Sequence, residues 1–185
     1  LLSREYDGYA GSIRLDGVEL NDIQTDALRA LVQTVRQDVE LFNDTVRFNL
    51  ALGRSISDED LWVGIRQAQA VEVVEQLGGL DGRVSQRGQN LSAGEVQLLS
   101  IARVMVHDAP VVVLDEATAN VDSLTEARIQ TATENLLSQK TVLVIAHRLS
   151  TIIHANRIIL MDAGRILEKG SHQELMAMGG AYAEL

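Results

Sequence analysis

Residues 111–116 read Val111-Val112-Val113-Leu114-Asp115-Glu116, a short apolar run that ends in two adjacent carboxylates. Four consecutive apolar residues after Pro110 predict a β-strand buried on both faces, as in a parallel sheet covered by helices. Carboxylates that follow such a strand lie at the carboxyl edge of the sheet, where α/β proteins bind their ligands. A solvated acidic turn would give the same pattern, so this stretch alone supports a structural and a functional interpretation about equally.

Four polar residues after predicted strands could carry chemistry at that edge. Asp115 suits Mg²⁺, directly or through water, and Glu116 could orient and deprotonate an attacking water. His147 directly follows a second apolar strand, and Gln37, whose amide oxygen could reach Mg²⁺ or water, ends a third. Taken singly, a His or a Gln after a strand is more often structural than functional.

The first part of the chain predicts a mixture of strands and helices. Residues 13–20 alternate around a Gly turn and predict two short antiparallel strands, followed by a helix over 25–31 and a brief strand over 34–37. From 43 to about 108 the spacing is helical with no convincing strand. Within this region Ser57, followed by three acids, predicts the N-cap of a helix.

The part after Pro110 predicts alternating strands and helices, which is typical of a parallel sheet. The predicted elements are a strand over 111–114, a helix over 124–137, a strand over 141–146, a short helix from Leu149, and a hairpin. The hairpin pairs 157–161 with 165–169 around the three-residue loop Asp162-Ala163-Gly164.

The stretch Leu91-Ser92-Ala93-Gly94-Glu95 opens a helix that is predicted to run to about His107. Ser92 and Glu95 fit a capping box, which is a common structural motif. Gly94, however, costs a helix up to about 1 kcal/mol relative to Ala. We therefore expect something to approach the backbone closely at Gly94, and the N-terminus of a helix is a natural site for phosphate.

Composition excludes several classes of function. The 185 residues are 46% hydrophobic and 23% charged, which is typical of a soluble α/β protein of one domain. A net charge of −10 with scattered Lys and Arg argues against a nucleic-acid partner. The chain contains no Cys, no apolar run of the roughly 18 residues that span a bilayer, and no signal peptide. Because it begins with Leu1 rather than Met, we expect an upstream segment.

Taken together, these segments resemble the motifs of the nucleotide-binding domain of ABC (ATP-binding-cassette) transporters. The order matches the family: the Q-loop Gln37, the signature Leu91-Ser92-Ala93-Gly94-Glu95, the Walker B pair Asp115 and Glu116, the D-loop with Asp122, and the switch His147. Residues 87–90 and the tail from 145 to 182 resemble exporters rather than importers.

The resemblance implies a fold. It is α/β, with a P-loop NTPase-like core of mostly parallel sheet flanked by helices, an N-terminal antiparallel β portion and an α-helical subdomain insertion. Residues 1–185 would form a single ABC ATPase domain. Within it, 1–42 and 109–185 would be the catalytic core and 43–108 the helical subdomain that carries the signature.

The resemblance also implies a mechanism in which two such domains sandwich two ATP molecules head to tail. Asp115 and Gln37 would hold Mg²⁺, and the catalytic residues would be Glu116, His147 and Gln37. The partner's signature would complete each site, through its Leu91, Ser92, Gly94 and Glu95, while Asp122 would communicate across the dimer. The implied partners are a second nucleotide-binding domain, in a homodimer or a heterodimer, and the transmembrane domain of the same transporter. The implied location of the chain is the cytoplasmic face of a membrane, with the bacterial inner membrane as the first choice.

The sequence departs from the family pattern in a few places. No Gly-x-x-x-x-Gly-Lys-Ser/Thr phosphate loop occurs in the 185 residues, so we expect it to precede Leu1 and residues 1–185 alone to bind Mg-ATP poorly. Arg36 stands where Pro is usual, Glu95-Val96 replaces a common Gln-Arg, and Gln86 replaces a common Glu.

Two other functions remain possible on the sequence alone. One is a non-catalytic ABC domain that only dimerises or binds a partner. The other is a soluble ABC ATPase of the DNA-repair or translation type, which the acidic balance, the single short helical insertion and the exporter-like tail disfavour.

Overall fold

The computed structural model describes residues 1–6, 8–36, 39–115, 121–146 and 152–185. They form two compact units, Leu1–Ile145 and Ala146–Leu185, each with hydrophobic clusters of its own. The short helix predicted from Leu149 begins outside the described residues.

The first unit contains five strands and six α-helices among its described residues. The strands are β1 Arg14–Leu15, β2 Val18–Glu19, β3 Val32–Val35, β4 Val111–Asp115 and β5 Thr141–Ile145. The helices are α1 Thr25–Leu31, α2 Val46–Ala51, α3 Asp58–Gln67, α4 Val71–Gln76, α5 Ala93–His107 and α6 Ser123–Gln139. The α/β fold class is confirmed, with β1 and β2 antiparallel at the N-terminus and α2 to α5 falling within the predicted helical region.

The central sheet has the order β3-β4-β5, and both pairs of strands are parallel. Val112 and Leu114 of the middle strand are buried, as a strand covered by helices requires. β3 begins two residues earlier than the predicted 34–37. The N–H of Val32 donates to Leu28 O and so completes the last turn of α1, while the backbone of Val32 is already extended. The strand therefore begins at Val32, with no loop between helix and strand.

In the helical region from 43 to 108, α2 and α3 pack against α5. The region contains no strand, only an isolated bridge between Thr45 and Arg83. Ser57 caps α3 as predicted, since its hydroxyl accepts a hydrogen bond from Asp60 N at 3.1 Å. α3 crosses α5 closely at Gly64, where a Cβ would lie 2.5 Å from Val106 Cγ2. The glycine therefore sets how near the two helices can pack.

The second unit is a β-hairpin followed by a short helix, α7 His172–Met178. Its strands are β6 Ile158–Asp162 and β7 Arg165–Gly170. The predicted three-residue loop is wrong by one residue, because Asp162 pairs with Arg165 and only Ala163-Gly164 turns. Both turn residues have positive φ, 46° and 75°, as in the two-residue type I′ turn that matches the twist of the strands.

None of the helices among the described residues is long and apolar enough to cross a bilayer.

A half-buried histidine at the end of α5 is hydrogen-bonded within the first unit. His107 Nε2 lies 2.9 Å from Leu50 O, whereas its buried Nδ1 has no partner among the described residues. Burial lowers the pKa of His107 below its ordinary value of 6.5, and the positive charges of Arg54 and Arg103 lower it further, although the bond to Leu50 opposes the shift. The neutral ring, with its proton on Nε2, donates to Leu50 O.

We expect His107→Gln to reduce the loss of stability of this chain at acid pH. Below about pH 6.5 the unfolded histidine binds a proton that the folded one does not, because the folded pKa is the lower of the two. Stability therefore falls as pH drops through this range, with a slope of up to about 1.4 kcal/mol per pH unit, and is unaffected above it. Urea unfolding between about pH 5 and pH 8 measures the slope. Exposed His154 gives the matched control, His154→Gln, and an unchanged slope in His107→Gln would contradict the assignment.

Candidate active site

The three parallel strands end at one edge of the sheet. Val35 pairs with Leu114, and Asp115, the last residue of β4, pairs with Ile145, the last residue of β5. Because the strands are parallel and in register, these carboxyl ends lie side by side. The edge is the one at which open α/β sheets bind ligands.

Three of the predicted site residues follow these strand ends in the sequence. Gln37 comes two residues after β3, Glu116 one residue after β4, and His147 two residues after β5. All three lie outside the described residues, so their roles stay predictions. The described residues therefore test the site through Asp115, the signature stretch and Asp122.

Asp115 lines a cleft of about 350 Å³ between the sheet edge and the start of α5. Arg36, Arg87 and Gln97 also line it. The remaining lining residues are Val39, Gly88, Gln89, Leu91, Ala93 and Val96. A cleft lined by one acidic and two basic residues can accommodate a metal ion together with an anion that the metal binds.

Metal binding at this cleft needs oxygen ligands beyond the described side chains. Among the residues that the structure describes, no group of three or more His, Cys, Asp or Glu could hold a metal ion. Mg²⁺, however, is usually held by one or two carboxylates while phosphate oxygens and waters complete its octahedron. A single carboxylate at Asp115 fits that donor set.

The signature stretch forms the N-terminus of α5. Ser92 Oγ accepts from Glu95 N at 3.3 Å and Glu95 Oε2 accepts from Ser92 N at 2.7 Å, which confirms the predicted capping box. The side chains of Ser92 and Ala93 are exposed, whereas Gly94 is buried. Of the signature residues, only Leu91 and Ala93 line the cleft with Asp115. The N-cap Ser92 is exposed, and the carboxylate of Glu95 already lies at this N-terminus.

The structure corrects the reason given for Gly94. A Cβ at this position would lie 2.3 Å from Thr125 Cγ2 and 2.9 Å from Val121 Cγ1, so the close neighbour is the start of α6 in the same chain. A phosphate is therefore not needed to explain this glycine. The contact also joins the signature stretch to the D-loop, because Val121 and Thr125 flank Asp122.

Asp122 caps α6. Its carboxylate accepts hydrogen bonds from Thr125 N at 3.0 Å and from Leu124 N at 3.1 Å. The hydrogen bond from the Thr125 backbone, followed by that from the Thr125 side chain, lowers the pKa of this exposed carboxyl. Asp122 thus has a local structural role, which is compatible with a second role at an interface.

Sequence reasoning missed several polar residues near the site. Gln97, Arg36 and Arg87 line the cleft, and Arg103 binds two distant carbonyl groups. The signal that could have found two of them is the helical spacing of Gln97, Ser100, Arg103 and His107, which places four polar residues on one side of the helix.

Comparisons with known proteins agree on one family. A family model described as ABC transporter matches residues 1–119. The chain is 44% identical to the ATP-dependent lipid A-core flippase of Thiobacillus denitrificans and 46% identical to that of Chromobacterium violaceum, in each case over 100% of this chain and 32% of the relative. A solved bacterial Atm1-family ABC exporter with ATP bound matches with a TM-score of 0.88 and 39% identity, over 99% of this chain and 32% of that one. The chain thus spans about a third of the length of these relatives.

We expect Gly94→Ala to lower the free energy of unfolding by about 1–3 kcal/mol, because the added methyl overlaps Thr125 Cγ2. Thr125→Ser removes that methyl and should restore part of the loss in the double variant. Urea unfolding of the three variants measures both effects. The matched control is Thr131→Ser, at an exposed position of the same helix, and equal recovery by both serines would contradict the contact.

Proposed function

The chain belongs to the ABC transporter family, and from that premise we propose that it is the ATP-hydrolysing nucleotide-binding domain of an exporter. The observation that carries the proposal is the common edge at which β3, β4 and β5 end, with Asp115 facing a cleft beside α5. In the proposed organisation the domain works at the cytoplasmic face of a bacterial inner membrane, coupled to a transmembrane domain.

The proposed chemistry divides the predicted residues by task. Asp115, with the amide oxygen of Gln37, would hold Mg²⁺, which would neutralise phosphate charge when bound. Glu116 takes the proton of the attacking water, and His147 contacts the terminal phosphate. These residues need to converge on one nucleotide, and their positions just after neighbouring parallel strands support that convergence.

The proposed site is completed by the partner domain in a head-to-tail dimer. Ser92 and Gly94, with Leu91 and Glu95, present the N-terminus of α5 to the terminal phosphate that the other domain holds. The exposure of Ser92 and Ala93 supports this role, since an interface needs an accessible helix N-terminus. Asp122 then lies beside the same interface, because Thr125 and Val121 pack on Gly94. ATP bound by both domains favours the closed dimer over the open one.

Whole-protein activity is the appropriate test, because residues 1–185 contain no phosphate-loop sequence and we expect them alone to bind Mg-ATP weakly and not to turn it over. Because these relatives are named lipid A-core flippases, lipid A-core is the first cargo to test in the same preparation. The polypeptide encoded by the complete gene, in lipid nanodiscs, suits both measurements.

We expect Glu116→Gln in that polypeptide to reduce ATP hydrolysis by at least about a hundredfold while ATP binding is kept, because Gln can hold the water but cannot take its proton. Phosphate release and equilibrium ATP binding measure the two properties. The matched control is Glu75→Gln, at an exposed position of α4. ATP-dependent dimerisation without hydrolysis in the unsubstituted protein would instead favour the non-catalytic alternative, and hydrolysis within about tenfold of normal in Glu116→Gln would remove the base role.

We expect Glu95→Gln to lower the ATP concentration for half-maximal activity by about two- to fivefold. Gln can keep the capping box but removes a negative charge from a helix N-terminus, where charge effects are about 0.3–1 kcal/mol. The chain offers a matched control in Glu174→Gln, because Ser171 and Glu174 form an equivalent capping box at the start of α7. Equal responses of the two variants would show that α5 does not face the nucleotide.

A further inference from the structure

The cleft beside Asp115 is lined by a buried polar side chain that the described fold leaves without a partner. Gln97 of α5 is 8% exposed, and no hydrogen bond joins its amide to another described residue. Its neighbours in the cleft include the apolar residues Leu91 and Val96, which cannot satisfy an amide. A buried amide is costly without a hydrogen-bonding partner, so this one calls for a polar ligand in the cleft.

Arg87 lines the same cleft and has an uncommon backbone conformation. Its φ and ψ are 55° and 22°, in the left-handed region that residues other than glycine seldom occupy. Its N–H donates to Leu41 O at 3.1 Å, which holds it there. None of the ion pairs among the described residues includes Arg87. Strained residues of this kind cluster at sites that bind ligands, so both the backbone and the unpaired charge point to a role in the cleft.

The loop that presents this arginine is braced from within and against α5. Asn90 Oδ1 accepts from Ser85 N at 2.9 Å and from Ser85 Oγ at 2.8 Å, while Asn90 Nδ2 donates to Arg83 O at 3.1 Å. The loop also packs closely on α5, since a Cβ at Gly88 would lie 2.8 Å from Val96 Cγ2. These contacts fix the loop and so offset the strain within it.

The charge of the cleft favours an anion. Its described lining contains two basic residues, Arg36 and Arg87, and one acidic residue, Asp115. Among the described residues Arg36 has one ion pair, a loose contact of 3.9 Å with Glu5 in which both side chains are more than half exposed. Arginine donates strong, often paired hydrogen bonds to phosphate oxygens, and a glutamine amide can add another. The cleft of about 350 Å³ is within the size range of small-molecule sites.

We propose that this cleft binds inorganic phosphate, the product of ATP hydrolysis, and that Arg87 and Gln97 bind its oxygens. This inference rests on the proposed function. Phosphate released beside Asp115 is already in the cleft that both side chains line. Gln97 is buried and Arg87 is exposed, so a ligand held between them has a route to solvent, as a reaction product requires.

The test measures the affinity for phosphate directly. The complete polypeptide in nanodiscs is saturated with ADP in the presence of MgCl₂, so that the nucleotide occupies its own site. It is then titrated calorimetrically with potassium phosphate, with potassium chloride of equal ionic strength as the blank. We expect Arg87→Gln to raise the phosphate dissociation constant about tenfold, because charge-assisted hydrogen bonds are lost, and Gln97→Leu to raise it about threefold. Arg87→Lys keeps the charge, and its dissociation constant should lie between those of the unsubstituted protein and Arg87→Gln.

The matched control is Arg83→Gln, because Arg83 is an exposed arginine of the same loop that does not line the cleft. No phosphate binding in the unsubstituted protein, an unchanged dissociation constant in Arg87→Gln, or an equal rise in Arg83→Gln would overturn the inference. If Gln97→Leu yields too little folded protein, the comparison of Arg87→Gln with Arg83→Gln decides, since both positions are exposed.

A second measurement separates this inference from the proposed function. Added phosphate should inhibit ATP hydrolysis, and the concentration for half inhibition should rise in Arg87→Gln by the same factor as the dissociation constant. Absence of ATP hydrolysis in the unsubstituted protein would overturn the proposed function. The calorimetric titration measures phosphate in the cleft whether or not hydrolysis occurs, so the two failures are distinguishable.

Discussion

The burial of α5 is the constraint on which the first unit depends. Leu98, Leu99, Ile101 and Ala102 are buried on one side or another, so the helix must be surrounded by α2, α3, α6 and β3. Close approach at two glycines makes this possible, because Gly64 admits Val106 and Gly94 admits Thr125. A helix packed this tightly cannot shift without moving its neighbours, since protein interiors are close-packed. The signature stretch at its N-terminus is therefore placed by the core rather than by its own loop.

The sheet supplies the second part of the site in a different way. Parallel pairing in register brings the ends of three strands to one edge, and each end is followed within two residues by a polar residue of the predicted site. Asp115 faces the cleft from the middle strand, which is the strand least free to move. Backbone pairing thus aligns the strand ends that precede the predicted site residues, and the apolar side chains of β4 hold the sheet against the helices.

Arg103 of α5 binds the segment that follows β3. Its partly buried guanidinium donates to Glu40 O and Asn49 O in one stretch of the chain, and two such bonds favour one separation between that stretch and α5, whereas apolar packing alone tolerates small shifts. Asn49 also fixes the backbone, since its single buried side-chain amide makes three hydrogen bonds to main-chain atoms of its own segment. Polar contacts inside this unit therefore organise the connection between sheet and helix, while apolar contacts provide most of its stability.

Local patterns were sufficient for the elements and for much of the site. The apolar strand before Asp115, the capping box of Ser92 and Glu95, and the cap at Ser57 could be predicted because each depends on residues within one turn or strand. The early start of β3, the two-residue hairpin turn, the reason for Gly94 and the bonds of Arg103 could not. These depend on backbone geometry or on partners up to 63 residues away, such as Glu40 for Arg103. Contacts of that range arise only when the packed chain brings the segments together, because no periodicity in the sequence records which distant backbone a side chain will meet.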